Sequence, residues 1–126
     1  MSARYLDVAG KWDIVLVWDI GAEVSAMLVG WLEALGATRA EARKACNVLT
    51  GGLNRGFSYS NPDLQMSLVC IGDASSRAQW WDTVAHEVDH LQNAIMEVYD
   101  VEPGTEDAAW LQGYLMRLIV DATGVC

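Results

Sequence analysis

The stretch SRAQWWDTVAHEVDHLQNAIMEVYD, residues 76 to 100, has the pattern of one long amphipathic helix. Ser76, followed three residues later by Gln79, fits a capping box at the start of that helix. Apolar side chains recur at helical spacing and form one stripe, made of Trp80, Val84, Val88, Leu91 and Ile95. We therefore predict a helix that reaches about Asp100 and packs on the core through this stripe.

Both histidines of the chain lie in this helix, in the order His86-Glu87-Val88-Asp89-His90, which is the His-Glu-x-x-His pattern. Histidines four residues apart share one face of a helix, so two imidazoles can bind one ion while Glu87 reaches a metal-bound water. The pair lies roughly opposite the apolar stripe. The pattern therefore favours a zinc site over the alternative, two hydrogen-bonded core histidines.

A catalytic zinc site needs a third protein ligand if its fourth position is to stay open for water. The chain has no further histidine, and no cysteine lies near the motif. Glu97 lies two turns beyond His90 on the same helix, too far along the axis to bind the same ion, and Glu102 falls in a predicted loop. Glu106 is therefore the predicted third ligand, although an acidic residue in a first helical turn can also serve only to stabilise the helix dipole.

Five other polar residues are candidates for supporting roles at such a site. Asp82, Asp89 and Asp107 can accept hydrogen bonds from imidazole N–H groups. Tyr114 or Tyr59 can donate a hydrogen bond to a developing oxyanion. The alternative for each aspartate is a solvated surface charge, and for each tyrosine a packed ring with its hydroxyl at the surface.

The last helix carries Glu106 and is predicted from Thr105, as its cap, to about Ala122, because Pro103 and Gly104 break the chain before it. Leu111, Leu115 and Leu118 form its core stripe. The opposite side carries Glu106, Trp110, Gly113, Tyr114 and Arg117. Gly113 either lets the last two helices approach closely or is incidental.

The elements before residue 76 are a strand, two helices and a hairpin. The strand covers Trp12 to Ile20, and the strands of the hairpin contain Phe57 and Tyr59 and then Leu64 to Ile71, around a turn at 61–63. The two helices run from Ala22 to about Leu35 and from about Arg39 to Gly51. This order predicts an α+β fold, with a small antiparallel or mixed sheet packed against about four helices.

Length and composition bound the possible functions. The chain has 126 residues and 52% hydrophobic residues, which suits one domain, residues 1–126. Its net charge of −9 disfavours nucleic acid and anionic membranes as partners. No apolar run is long enough to cross a bilayer and no export signal is visible, so we expect a cytoplasmic protein. Three scattered cysteines give no sign of a disulfide framework.

The stretch from Ser75 to Val120 resembles the gluzincin branch of the zinc metallopeptidases, in which His-Glu-x-x-His is followed on a later helix by a glutamate ligand. It is most similar to the minimal single-domain gluzincins and to small His-Glu-x-x-His proteins of phages and mobile elements. In many of these a Glu precedes an aromatic residue and a Gly-aromatic pair, a layout that Glu106, Trp110 and Gly113-Tyr114 match. The resemblance implies a zincin-like fold, in which the motif helix and the C-terminal helix with its glutamate form the site.

The same resemblance implies Zn²⁺ as cofactor and a peptide substrate that pairs with an edge strand. The expected substrate strand contains Leu64, Met66 and Leu68. The expected activity is peptide-bond hydrolysis with Glu87 as general base and, less directly, Tyr114 as a catalytic donor. Two alternatives remain: a non-catalytic domain in which zinc ties the last two helices together and the surface binds a protein partner, or a metal-free interaction domain.

Overall fold

A four-stranded mixed sheet forms the centre of the fold, with two helices on each of its faces. The computed structural model describes residues 1–21 and 25–124. The elements are β1 (Ser2–Val8), β2 (Trp12–Trp18), α1 (Ser25–Ala34), α2 (Arg39–Thr50), β3 (Gly56–Asn61), β4 (Met66–Ile71), α3 (Arg77–Tyr99) and α4 (Glu106–Thr123). The predicted α+β class, with a small mixed sheet and four helices, is confirmed.

The strand order is β1-β2-β4-β3, with β2 and β4 parallel and the two outer pairs antiparallel. Alternation along β2 divides the core between the two faces of the sheet. Val15 and Val17 pack with α1 and α2, whereas Ile14 and Leu16 pack with α3 and α4. Each face therefore has its own apolar layer, and the α3–α4 layer carries the motif helix.

Three helices have side-chain caps at their first turns. Thr38 and Glu41 form a reciprocal capping box on α2, Ser76 caps α3, and Thr105 caps α4. These predicted helix starts are confirmed. The predicted first helix begins at Ala22, and residues 22–24 lie outside the described residues, so α1 is described only from Ser25.

Strand β1 is not among the predicted elements. Only Leu6 and Val8 of its seven residues are buried, so the apolar signal in its sequence is weak. The turn from Ala9 to Lys11, with φ values of 52° at Ala9 and 70° at Gly10, joins β1 antiparallel to β2. The pairing with β2 supplies the hydrogen bonds that hold this mostly exposed strand in place.

The predicted hairpin of β3 and β4 is confirmed, but its position in the sheet corrects the predicted substrate strand. Strand β4 lies between β2 and β3, so both of its edges are already hydrogen-bonded. Leu64 lies in the turn before it, and Leu68 has no solvent exposure. The prediction that Leu64, Met66 and Leu68 offer an edge to a peptide is therefore wrong, and β3 is the edge strand on this side.

Two cysteines, Cys46 and Cys70, are free and buried in the α1–α2 layer, while Cys126 lies outside the described residues. Burial raises the pKa of the Cys70 thiol far above its usual range, so this thiol stays protonated. Within residues 1–21 and 25–124, none of the helices combines the length and the apolar character that a membrane span requires.

Candidate active-site cleft

The two imidazoles of the motif converge at the surface of α3. Nε2 of His86 and Nε2 of His90 are 3.2 Å apart, and both side chains are exposed. Two nitrogen ligands on one tetrahedral zinc ion, each at about 2.0–2.1 Å, stand roughly 3.3–3.4 Å apart. The pair therefore has the spacing of two ligands of one ion, and without an ion the same geometry fits a single hydrogen bond between the rings.

Packing of α3 on the sheet fixes the direction of this pair. Val84, Val88 and Leu91 have no solvent exposure and face the sheet, as the predicted stripe requires. The helix lies over β3 and β4, while α4 lies beside it toward β1. His86 and His90 are consequently at the rim of α3 that faces β3.

Glu87 points between α3 and β3 and is only 4% exposed. The Ser58 hydroxyl donates a hydrogen bond of 2.9 Å to Oε1 of Glu87. Burial raises the pKa of the Glu87 carboxyl, while the Ser58 hydrogen bond and the imidazoles of His86 and His90 act in the opposite direction. A buried carboxyl with a raised pKa beside two imidazoles is a candidate general base.

Small residues on one face of β3 make room for this carboxylate. Gly56, Ser58 and Ser60 face α3, whereas Phe57 and Tyr59 point to the other side of the sheet and pack with the α1–α2 layer. A Cβ atom on Gly56 would lie 2.7 Å from Oε2 of Glu87, so a larger residue there would displace the Glu87 carboxylate from this position.

A buried hydrogen-bond chain fixes Ser60 on the same face. The hydroxyls of Ser60 and Ser67 are 2.6 Å apart, and the indole N–H of Trp12 donates to the Ser67 hydroxyl at 2.9 Å. Because Ser67 has no solvent exposure, its hydroxyl is satisfied only through these two partners. The Ser60 hydroxyl is thus bonded to Ser67, and of the two serines it is Ser58 that donates a hydrogen bond to the Glu87 carboxylate.

An open cleft of about 430 Å³ brings these groups together. We call it the α3–β3 cleft, and it is lined by Gly56, Phe57, Ser58, Ser60, His86, Glu87, His90 and Ala94. A neighbouring depression of about 310 Å³ shares Gly56, His86 and Glu87 and adds Arg55 and Asp82. The motif residues therefore lie at the meeting point of two depressions along β3.

Glu106, the predicted third ligand, is not brought to the histidine pair. Gln92 faces α4 and donates a 2.9 Å hydrogen bond to the carbonyl oxygen of Ala108, and Gln92 lies about 200° around α3 from His90. Ala108 is buried, and Glu106, about 200° around α4 from it, is exposed. Within residues 1–21 and 25–124, no three His, Cys, Asp or Glu side chains form a group that could hold a metal ion.

The predicted acceptors for the imidazole N–H groups are not bonded to them. Asp89 accepts a hydrogen bond from Asn93 at 3.4 Å, and Asp107 is exposed on α4. Asp82 lies one turn before His86 and lines the neighbouring depression with it. Asp82 is therefore the one predicted acceptor that lines a depression together with His86.

The two predicted tyrosine donors and Gly113 lie elsewhere. Tyr59 packs with the α1–α2 layer on the opposite face of the sheet. Tyr114 lies on α4 beneath the guanidinium of Arg117, which is 5.2 Å from the centre of its ring. Gly113 is exposed and does not mediate the contact between α3 and α4. The expectation that either tyrosine serves the motif is not supported by these positions.

Sequence reasoning did not identify Ser58 and Gly56 as site residues. Their signal is the alternation of small residues with Phe57 and Tyr59, which marks one face of β3 as unusually open. Only the structure shows that this open face accommodates the Glu87 carboxylate. No protein-family model matches the chain, and no curated protein or solved structure matches it either.

Proposed function

We propose that the α3–β3 cleft is a zinc-dependent hydrolytic centre that acts on peptide bonds. The observation that carries the proposal is the 3.2 Å separation of the His86 and His90 Nε2 atoms, in one cleft with the buried Glu87. A long helix with the His-Glu-x-x-His pattern beside the open edge of a mixed sheet also supports a zincin-like assignment of the fold.

In this proposal each residue of the cleft has one role. His86 and His90 hold the ion, which when bound polarises a carbonyl and increases the acidity of water. Glu87 accepts a proton from the attacking water at its carboxylate and returns it to the leaving amine. Ser58 orients Glu87 through its hydrogen bond to Oε1.

The edge of β3 is the proposed binding site for the substrate backbone. Strand β3 is the last strand of the sheet on this side, so its outer backbone groups are available to an extended peptide. The cleft that contains Glu87 is lined by the same strand. A peptide paired with β3 would therefore pass beside the histidine pair. Strand β4 has no free edge with which a peptide could pair.

Both protein ligands of the proposed ion come from α3, and the described residues do not place the third protein ligand that catalytic zinc sites usually have. In the proposal this position is filled by water, substrate or a further ligand. This arrangement distinguishes the proposal from a zinc tie between helices, because an ion on His86 and His90 would be attached to one helix only. The contact between α3 and α4 is made instead by apolar packing and by the hydrogen bond from Gln92 to Ala108.

The test is zinc content and peptide cleavage in untagged protein titrated with zinc. We expect one zinc per wild-type chain, weakened binding after His86→Ala or His90→Ala, and retained zinc with loss of cleavage after Glu87→Gln. Glu97→Gln, an exposed change on the same helix outside the cleft, is the matched control. Unchanged cleavage by zinc-loaded Glu87→Gln, or no zinc bound by the wild-type chain, would contradict the proposal.

A further inference from the structure

The outer face of α4 exposes a large aromatic side chain that no part of the described chain covers. Trp110 is 71% exposed and lies opposite the buried Ala108, Leu115 and Ile119. It belongs to a shallow depression of about 350 Å³. We call the residues that line it the Trp110 stripe: Glu106, Ala109, Trp110, Gly113, Tyr114 and Arg117.

Gly113 adds an open gap at the middle of the Trp110 stripe. A Cβ atom built on Gly113 would meet nothing within 4 Å, so no contact in the described part of the chain requires glycine there. Glycine in an exposed helix interior is less favourable than alanine. Gly113 therefore leaves room beside the exposed Trp110 for a side chain of another molecule to approach the α4 backbone.

Residues at symmetric positions about the middle of the Trp110 stripe are complementary in charge or in size. The positions 106 and 117, 109 and 114, and 110 and 113 are each symmetric about the midpoint of residues 111 and 112. Each symmetric pair joins unlike partners: a carboxylate with a guanidinium, a small with a large side chain, and an indole with a glycine. Antiparallel packing of two such stripes about a two-fold axis brings these unlike partners together, whereas parallel packing places Trp110 on Trp110 and Glu106 on Glu106.

The charged ends of the stripe have no ion-pair partners of their own. In the part of the chain that the structure describes, the one salt bridge joins Arg39 and Glu33, on another surface. Glu106 and Arg117 are eleven residues apart, about 16 Å along the helix, and cannot meet within one α4. In an antiparallel pair of stripes each Glu106 lies opposite an Arg117 of the second copy.

We propose that the Trp110 stripe is a homodimer interface, in which α4 packs antiparallel on α4 of a second copy with Trp110 over Gly113. The occupant is a second copy because charge and size are matched within the stripe itself. Two ion pairs flank two tryptophan contacts, and tryptophan is enriched among the central residues that dominate the binding energy of interfaces. This interface is separate from the α3–β3 cleft and does not depend on zinc.

The test is sedimentation velocity over a range of concentrations, with the full chain in chelator. We expect a monomer–dimer equilibrium that Glu106→Arg or Arg117→Glu weakens by on the order of tenfold or more, because each change turns two attractive contacts into repulsive ones. The double variant Glu106→Arg, Arg117→Glu is expected to restore the wild-type dissociation constant. Trp110→Ala is expected to weaken association by roughly a hundredfold or more.

The control for the gap is a pair of glycine substitutions. Gly113→Leu is expected to abolish dimerisation by filling the space for Trp110, whereas Gly30→Leu on α1, also exposed with nothing within 4 Å of its Cβ position, is expected to leave it unchanged. Circular dichroism shows whether each variant keeps its helices. A wild-type chain that stays monomeric at all concentrations, or a double charge variant that associates no better than the single ones, overturns the proposal.

Discussion

Glu87 combines burial with a position between two imidazoles and a hydroxyl, and these surroundings act on its charge in opposite directions. Burial disfavours the carboxylate, and Ser58, His86 and His90 favour it. The net effect is a raised pKa, so the folded protein binds this proton more tightly than the unfolded chain does. The carboxyl therefore stabilises the fold below its ordinary pKa, and this contribution is lost as pH rises through its raised pKa.

A first prediction follows for Glu87→Gln in metal-free protein. Glutamine keeps the shape and an acceptor for Ser58 but removes the buried charge, so we expect a higher melting temperature than wild type at pH 7. The difference should shrink as pH falls through the Glu87 pKa. Thermal melts in chelator between pH 4 and pH 8 measure it, with Glu97→Gln as the exposed control. A lower melting temperature at pH 7 would show that the charge is stabilised in the fold.

A second prediction concerns the hydroxyl that holds the carboxylate, and it depends on the proposed function. Ser58→Ala removes the hydrogen bond to Oε1, which raises the Glu87 pKa further and leaves the carboxylate less well oriented. We expect kcat to fall by on the order of tenfold with little change in KM, and the acidic limb of the pH–rate profile to move to higher pH.

The matched control for Ser58 is Ser60→Ala, because Ser60 lines the same cleft but bonds to Ser67. Its pH–rate profile should keep the wild-type acidic limb. If the two alanine variants shift the profile equally, the effect comes from the polarity of the cleft and Ser58 has no orienting role.

The helices follow closely from sequence because their signals are local. The caps at Thr38, Ser76 and Thr105 and the apolar periodicity of α3 need only neighbouring residues. The spacing of His86 and His90 follows from the same helical geometry. The position of α4 beside α3 cannot be predicted in this way, because the sequence of α4 contains no signal for the side of α3 on which it packs.

The order of the strands in the sheet could not be predicted from local sequence signals either. The apolar run of β4 is typical of a strand that is buried on both faces of a sheet, but the run alone does not tell which strands pair with it. The weakly apolar β1 and the half-buried β3 become the two edges only once the sheet is assembled. The motif, β3 and α4 could therefore be predicted from sequence as elements, but the positions of β3 and α4 relative to the motif could not.

A third prediction belongs to this element scale and concerns how zinc affects α3 and α4. Because both histidines lie on α3 and Glu106 faces away from them, Glu106→Gln should keep the wild-type zinc stoichiometry. Chelation should move the melting temperature by no more than a few degrees, because an ion with two protein ligands on one helix binds weakly, and a bound ion stabilises the fold according to its affinity. A large loss of zinc in Glu106→Gln would show that α4 supplies a ligand in the zinc-bound state, as the sequence alone predicts.

At the scale of the whole molecule, the two proposed surfaces lie on different sides of the α3–α4 layer. The α3–β3 cleft follows the edge of β3, whereas α4 lies toward β1 and exposes the Trp110 stripe on its outer face. Dimerisation through α4 would leave both clefts of a dimer open to extended peptides. It would also join two chains that each carry a net charge of −9. The contacts of the Trp110 stripe must therefore outweigh the electrostatic repulsion between the two chains.

A last prediction follows from this separation. Distant sites without shared contacts contribute independently, so Trp110→Ala should lower the dimer fraction while changing kcat/KM per chain less than about twofold. Glu87→Gln should abolish cleavage and leave the dimer dissociation constant unchanged. Both quantities can be measured on the same zinc-loaded samples, by sedimentation velocity and by cleavage of a fluorogenic peptide library. A loss of cleavage that follows the loss of dimer across the Trp110 and charge-reversal variants would show instead that the second copy contributes to the cleft, and the two surfaces would have to be treated as one site.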